Sequence, residues 1–217
     1  MEHDFWQTRW REGRTAFHEA SGSPWLQANL GRLMGDTPGR VLVPLCGKAH
    51  DMRVLAGAGH EVIGVELSAI AAEAFFSEWQ VRPTVTDEGA FQRYQGNGVT
   101  ILVGDFFELT PHRLGPVAHV FDRAAMVALP PEMRARYAPH LLGLLAPGAR
   151  VLLITFEYDQ SRAPGPPFSV EEDEVRSRFA STSIERLGEQ AIETTSQTLR
   201  ESGASLREVG WLLTLPA

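Results

Sequence analysis

Cysteine is almost absent from this chain. Cys46 stands alone among 217 residues, which excludes an intramolecular disulfide and any CxxC metal site. Lysine is as scarce: Lys48 is the single lysine beside 19 arginines, and the formal net charge is −7 with no block of one sign. Nucleic-acid binding needs clustered Lys and Arg, so a nucleic-acid partner is not expected. Long apolar runs are missing too. None approaches the ~18 residues that span a bilayer, and Met1-Glu2-His3-Asp4 lacks the basic start and apolar stretch of a signal peptide. The expectation is a cytoplasmic monomer with neither a membrane nor a nucleic-acid partner. His18, His50 and His60 lack ligand spacing, so no metal is expected, and no Ser-His-Asp arrangement can be argued.

What is present fits one globular domain over residues 1–217. The chain is 43% hydrophobic and 22% charged, and its length should bury about 70% of the surface exposed when unfolded. Residues 2–13 suit a short amphipathic helix, and Ser23-Pro24 caps and opens a second that ends near Gly35. A βα pattern follows. Arg40–Pro44, Glu61–Val65, Val117–Phe121 and Arg150–Phe156 read as buried strands, with helices over 51–58, 133–145 and from Ser68, as cap, to Phe76. Gln92–Val103 reads as two strands around Gly96-Asn97-Gly98, and residues 171–180 as a helix. Two late strands, near 183–187 and 205–215, close the chain. Continuous apolar strands alternating with helices imply a mostly parallel sheet covered on both faces, with ligands at the carboxyl ends of its strands.

Those strand ends carry polar signals. The first ends in Val43-Pro44-Leu45-Cys46-Gly47-Lys48, where Gly47 would let backbone approach a ligand. Two glycines of the GxGxxG loop are missing, so a pyrophosphate has no cradle. The plain alternative is an ordinary strand-to-helix turn. Glu66, about 20 residues on, stands where an acid can accept both ribose hydroxyls of a nucleoside; alone it would be a solvated surface group. Gly104-Asp105-Phe106-Phe107 suits an adenine, by carboxylate and ring, or else a capped turn with core phenylalanines. Arg123 ends the fourth strand and would point at a ligand or pair with a neighbouring carboxylate. Cys46 is better explained as a small core residue than as a nucleophile. The prolines at 164, 166 and 167 suit a connector or the wall of an acceptor site. A glycine turn, an acid, an acid-aromatic pair and a charged strand end, in this order, are landmarks of class I methyltransferases using S-adenosylmethionine. A nicotinamide-dependent oxidoreductase and a non-catalytic nucleotide-binding module are the alternatives.

Across nearly the whole chain, PLCGKAHDM at 44–52, GHEVIGVELS at 59–68, FDRAAMVAL at 121–129, APGPPF at 163–168 and FWQTRWREGRTAFH at 5–18 resemble bacterial members of the thiopurine S-methyltransferase family. The resemblance implies a Rossmann-like class I fold. Its sheet would have seven mostly parallel strands with an antiparallel C-terminal strand, and residues 1–22 would form a lid. It implies S-adenosylmethionine as cofactor, S-adenosylhomocysteine as product, and an aromatic or heterocyclic thiol such as a thiopurine as acceptor, extended in bacterial relatives to selenium and tellurium species. Trp6, Trp10 and Phe17 would belong to the lid, with Phe17 towards the acceptor, though alone they could be a staple anchoring the N-terminus. Leu45 and Gly47 would touch the methionine part, Glu66 the ribose, Asp105 and Phe106 the adenine. Arg123 would lie beside the reacting centre, touching cofactor and acceptor. The C-terminal third matches less clearly; only Arg200 is a candidate acceptor contact there.

Overall fold

A computed structural model describes residues 3–14, 22–35, 39–123, 125–193 and 197–217. Its centre is a nine-stranded sheet in the order β3-β4-β5-β2-β1-β6-β7-β9-β8. The strands are β1 (Arg40–Pro44), β2 (Val62–Glu66), β3 (Thr84–Asp87), β4 (Gln92–Gly96), β5 (Val99–Val103), β6 (Val117–Asp122), β7 (Arg150–Glu157), β8 (Ser183–Ile192) and β9 (Leu206–Thr214). Five central strands, β5-β2-β1-β6-β7, run parallel. β9 lies antiparallel between β7 and β8.

Seven strands, β5-β2-β1-β6-β7-β9-β8, match the expected sheet with its reversed C-terminal strand. The other two add an antiparallel edge, β3-β4, beyond β5. The turn at 96–98 joins β4 and β5 as its glycines imply. β3 has no sequence signal because all four of its residues are exposed; pairing to β4, and not burial, makes it a strand.

The apolar strands are continuous because both faces are covered. Val41, Val43, Val62, Phe121, Leu152 and Ile154 pack into one core with Leu26 and Leu33 of α2 (Pro24–Met34), Met52 and Leu55 of α3 (Asp51–Gly57), and Phe75 and Phe76 of α4 (Ala69–Glu78). Leu42, Ile63, Val120, Val151 and Leu153 alternate to the other face, against Tyr137 and Leu141 of a helix over Pro131–Gly143 and Val175 of one over Glu172–Arg178. Period-two alternation thus divides each strand between two cores.

α1 (His3–Arg11) occupies the predicted N-terminal segment. Short helices at Pro111–Leu114 (α5) and Ala125–Ala128 (α6) precede the long one, α7 (Pro131–Gly143); α8 (Glu172–Arg178) and α9 (Gln197–Ser202) follow. Two expected caps differ. Neither the Ser23 nor the Ser68 side chain caps its helix. Their backbone N–H groups instead donate to carboxylates, Ser23 to Asp51 Oδ1 at 2.7 Å and Ser68 to Glu66 Oε1 at 2.9 Å. Both helix starts are thereby fixed by buried acids, Asp51 at the start of α3 and Glu66 at the end of β2.

Candidate active site

Strand order reverses at β1, whose neighbours are β2 and β6, so the crevice at the carboxyl ends of β1, β2 and β6 is where a ligand fits. The β1 end turns sharply there. Leu45 and Gly47 both have positive φ, 48° and 51°, a conformation costly for leucine and free for glycine. A side chain at Gly47 would meet the Trp10 ring at 3.2 Å. Gly64 of β2 has as little room: a Cβ there would lie 2.6 Å from Cys46 Sγ. Cys46 is buried, and desolvation raises its thiol well above the usual value, with Glu66 adding to the effect. A neutral thiol packed against a glycine is a core residue.

Glu66 organises this corner. Its Oε2 accepts the Gly47 N–H and its Oε1 the Ser68 N–H, both at 2.9 Å. The carboxylate is only 6% exposed, and burial raises its pKa against the pull of those backbone donors. It is therefore no solvated surface group. Each carboxylate oxygen has two acceptor positions, so one N–H apiece leaves capacity for a diol donating two O–H bonds. This acceptor arrangement fits a ribose.

The β5 end differs in part from the sequence expectation. Asp105 Oδ1 accepts the Phe107 N–H at 2.9 Å and caps a 3-10 turn over Phe106–Glu108. The Phe106 ring is buried, with centroids 5.2 Å from both Tyr137 and His140. His140 Nε2 also contacts the Phe106 carbonyl at 2.9 Å. Phe106 is thus held by the core on the side of α7, and Phe107, half-buried under the Arg136 guanidinium at 4.6 Å, is the more open ring.

α1 lies over these turns. Gln7 Nε2 donates to the Leu67 carbonyl at 3.0 Å, just after β2, and Trp10 is buried against Gly47. Trp6 is half-buried and packs edge-on against Phe5 at 5.3 Å. Phe17 lies outside the described residues. Arg200 sits exposed on α9.

Arg123 follows β6 directly and faces carboxylates. Its Nη2 is 3.7 Å from Oε1 of the buried Glu208 on β9, and its charge also favours ionised Asp51. The ion-pair reading of Arg123 is therefore realised, at the strand end where a ligand contact was expected. Sequence reasoning missed Glu208 altogether, because nothing in LREVGWLL marks one acid as facing inward. The proline loop closes this side: the Phe168 N–H donates to the Val127 carbonyl of α6 at 2.7 Å, and Tyr158 Oη to the Pro167 carbonyl at 2.7 Å.

Asp122 sets the turn that carries Arg123. Its Oδ1 accepts the Ala125 and Met126 N–H groups at 3.0 and 3.4 Å, and its Oδ2 the Tyr137 hydroxyl at 2.7 Å. Burial nevertheless pushes its pKa up to about 6 from 3.8. The folded chain thus holds a proton between about pH 4 and 6 that the unfolded chain has lost. Stability should fall as pH rises through that window, by about 3 kcal/mol when complete. Asp122→Asn removes the titration, so its stability relative to wild type should improve by that amount between pH 4 and 7. Urea melts at both pH values would show it; a constant difference would mean that Asp122 stays ionised throughout.

A cavity of about 770 Å³ also lies toward the β8 edge of the sheet, bounded by Glu157, Glu172, Arg186, Glu189 and Arg207. Its arginines are already paired, Arg207 with Glu157 and Arg186 with Glu172. Among the described residues no group of His, Cys, Asp and Glu is placed to hold a metal, and no helix is long and apolar enough to cross a membrane.

Comparison with known proteins shows the family and the fold. Residues 1–214 match the family described as Thiopurine S-methyltransferase (TPMT). The chain is 43% identical over 209 residues to a thiopurine S-methyltransferase of Pseudomonas fluorescens, covering 96% of each. In fold it is similar to a SAM-dependent methyltransferase from Anabaena variabilis, with a TM-score of 0.66, 14% identity, and 98% and 94% of the two chains covered. It is also similar to 1,6-didemethyltoxoflavin-N1-methyltransferase of Burkholderia thailandensis, solved with 1,6-didemethyltoxoflavin and S-adenosylhomocysteine. There the TM-score is 0.63 at 16% identity, with 99% and 87% covered.

Proposed function

The chain belongs to the thiopurine S-methyltransferase family, and from that membership we propose that it methylates the sulfur of aromatic and heterocyclic thiols at the β1-β2-β6 corner. It is an S-adenosylmethionine-dependent methyltransferase. That removes the nicotinamide-dependent and non-catalytic alternatives. The observation that carries the site assignment is the buried Glu66 carboxylate, tied to the backbone of both neighbouring turns and still able to accept a diol.

Bound there, the cofactor supplies a methyl group already activated by its sulfonium. Glu66 holds the ribose hydroxyls, and Leu45 and Gly47 give the methionine part close backbone. Asp105 accepts from the adenine amine; Phe107 is the better-placed ring to cover its face. Arg123 stands at the end of β6, beside the space between cofactor and acceptor, where its fixed charge favours a thiolate. Aromatic thiols ionise near neutral pH, so no protein base is required. The chain's main contribution is orientation, which can lower such barriers by about 7–11 kcal/mol. The loop at 163–168 walls the acceptor side.

We propose that α1, the described part of the expected N-terminal lid, covers this corner as a lid. α1 is only nine residues long and reaches the body through Gln7 and Trp10, so it should open locally more easily than the sheet. Hydrogen exchange of its amides should slow when S-adenosylhomocysteine binds; equal protection with and without it would leave α1 a fixed anchor.

The acceptor range is tested with labelled methyl donor against thiophenol, 6-mercaptopurine, selenite and tellurite. Transfer to the two thiols is the expected result, and a chain that labels no thiol would refute the reading. Transfer to the chalcogen species would extend the range to selenium and tellurium.

A further inference from the structure

Glu208 is an ionisable side chain with 3% of its surface exposed, and it lies on β9 opposite Phe156, near the end of β7. A buried carboxylate needs compensation, and it comes from three elements. Oε2 accepts the Trp25 indole N–H of α2 at 3.0 Å and the Gln190 amide of β8 at 2.8 Å. Oε1 makes no hydrogen bond and faces Arg123 Nη2 at 3.7 Å. Trp25 has little freedom to move. It lies flat across Gly210 of β9, where a Cβ would approach its ring to 2.5 Å, and near the cross-strand partner Gly188. Two donors from fixed elements therefore lock one oxygen and turn the other toward the arginine.

At 3.7 Å the contact is an electrostatic one, longer than a hydrogen bond. Arginine is rotamer-rich, and its guanidinium is useful in a reaction only when held in one place. From this arrangement we infer that Glu208 is a positioning residue for methyl transfer, fixing the Arg123 guanidinium at the carboxyl end of β6. The inference rests on the proposed role of Arg123 at the reacting centre. The competing role is purely structural: Glu208 would only pin α2 to β9 through Trp25.

A double-mutant cycle on the full chain separates the two, using thiophenol and S-adenosylmethionine. Glu208→Gln keeps size and should lower kcat for thiophenol about tenfold, a change within the usual coupling of contacting residues. KM for S-adenosylmethionine should stay within about twofold. In an Arg123→Met background the same substitution should cost almost nothing further. A structural role would give equal losses in both backgrounds and would overturn the inference, as would unchanged kcat in Glu208→Gln. If Glu208→Gln does not fold, Gln190→Met removes one of the two locking donors. It should lower kcat about threefold in wild type and not in Arg123→Met; equal losses again overturn it. Wild-type turnover in Arg123→Met alone would instead refute the role of Arg123 on which the inference stands.

Discussion

Glu66→Ala should weaken binding of S-adenosylhomocysteine by about 10- to 100-fold, the loss of a charged hydrogen-bond acceptor to the ribose. It should also destabilise the chain. Glu66 accepts the Gly47 and Ser68 N–H groups in a buried setting, and each orphaned donor costs about 1–3 kcal/mol. The two effects separate in Glu66→Gln, whose single carbonyl oxygen can still serve one of the two turns. That variant should lose less stability while still binding the product weakly. Calorimetry on folded samples is the check. Undiminished affinity in a folded Glu66→Ala would mean that Glu66 only staples the β1 and β2 turns together.

Arg123→Ala should lower kcat/KM for thiols about 100-fold, comparable to removing one preorganised donor from a developing charge. Product affinity should fall much less. The loss should be larger for thiols whose pKa lies above the assay pH, because these depend on the guanidinium to ionise. For thiols already ionised, the remaining loss measures positioning. A series of substituted thiophenols distinguishes the two contributions. Arg123→Lys should retain part of the ionising effect and less of the positioning, since an ammonium on a flexible stem lacks the planar fork. Arg123→Ala removes the cation facing Glu208 and Arg123→Lys replaces it with a less well-placed one, so thermal stability must be measured alongside. Wild-type rates across the whole series would confine Arg123 to its pairing with Glu208 and its charge effect on Asp51.

The sequence already marked the polar strand ends that meet at this corner. Gly47 and Glu66 stand where the spacing placed them, and the structure joins them by a hydrogen bond. Arg123 and the loop at 163–168 lie on the same side of the sheet, the loop tied to α6 through Val127. Phe106 was legible as an aromatic in this corner but not as one already occupied by Tyr137 and His140. A ring's partners come from another element, and no local pattern encodes them. Glu208 and Asp122 went unread for the same reason. Each is an ordinary acid in its own segment, and only packing makes it a buried one.

The sequence by itself determined the layered α/β architecture, because two-sided burial writes itself into continuous apolar strands and helical periods. It also determined which strand ends are polar. Tertiary structure alone decided the edge strand β3, since pairing without burial leaves no trace in hydropathy. It alone brought Arg123, Glu208, Trp25 and Gln190 together across separations of up to 183 residues. Such groupings follow from chain topology: β9 reverses direction between β7 and β8, and that reversal carries Glu208 back to the carboxyl end of the parallel strands.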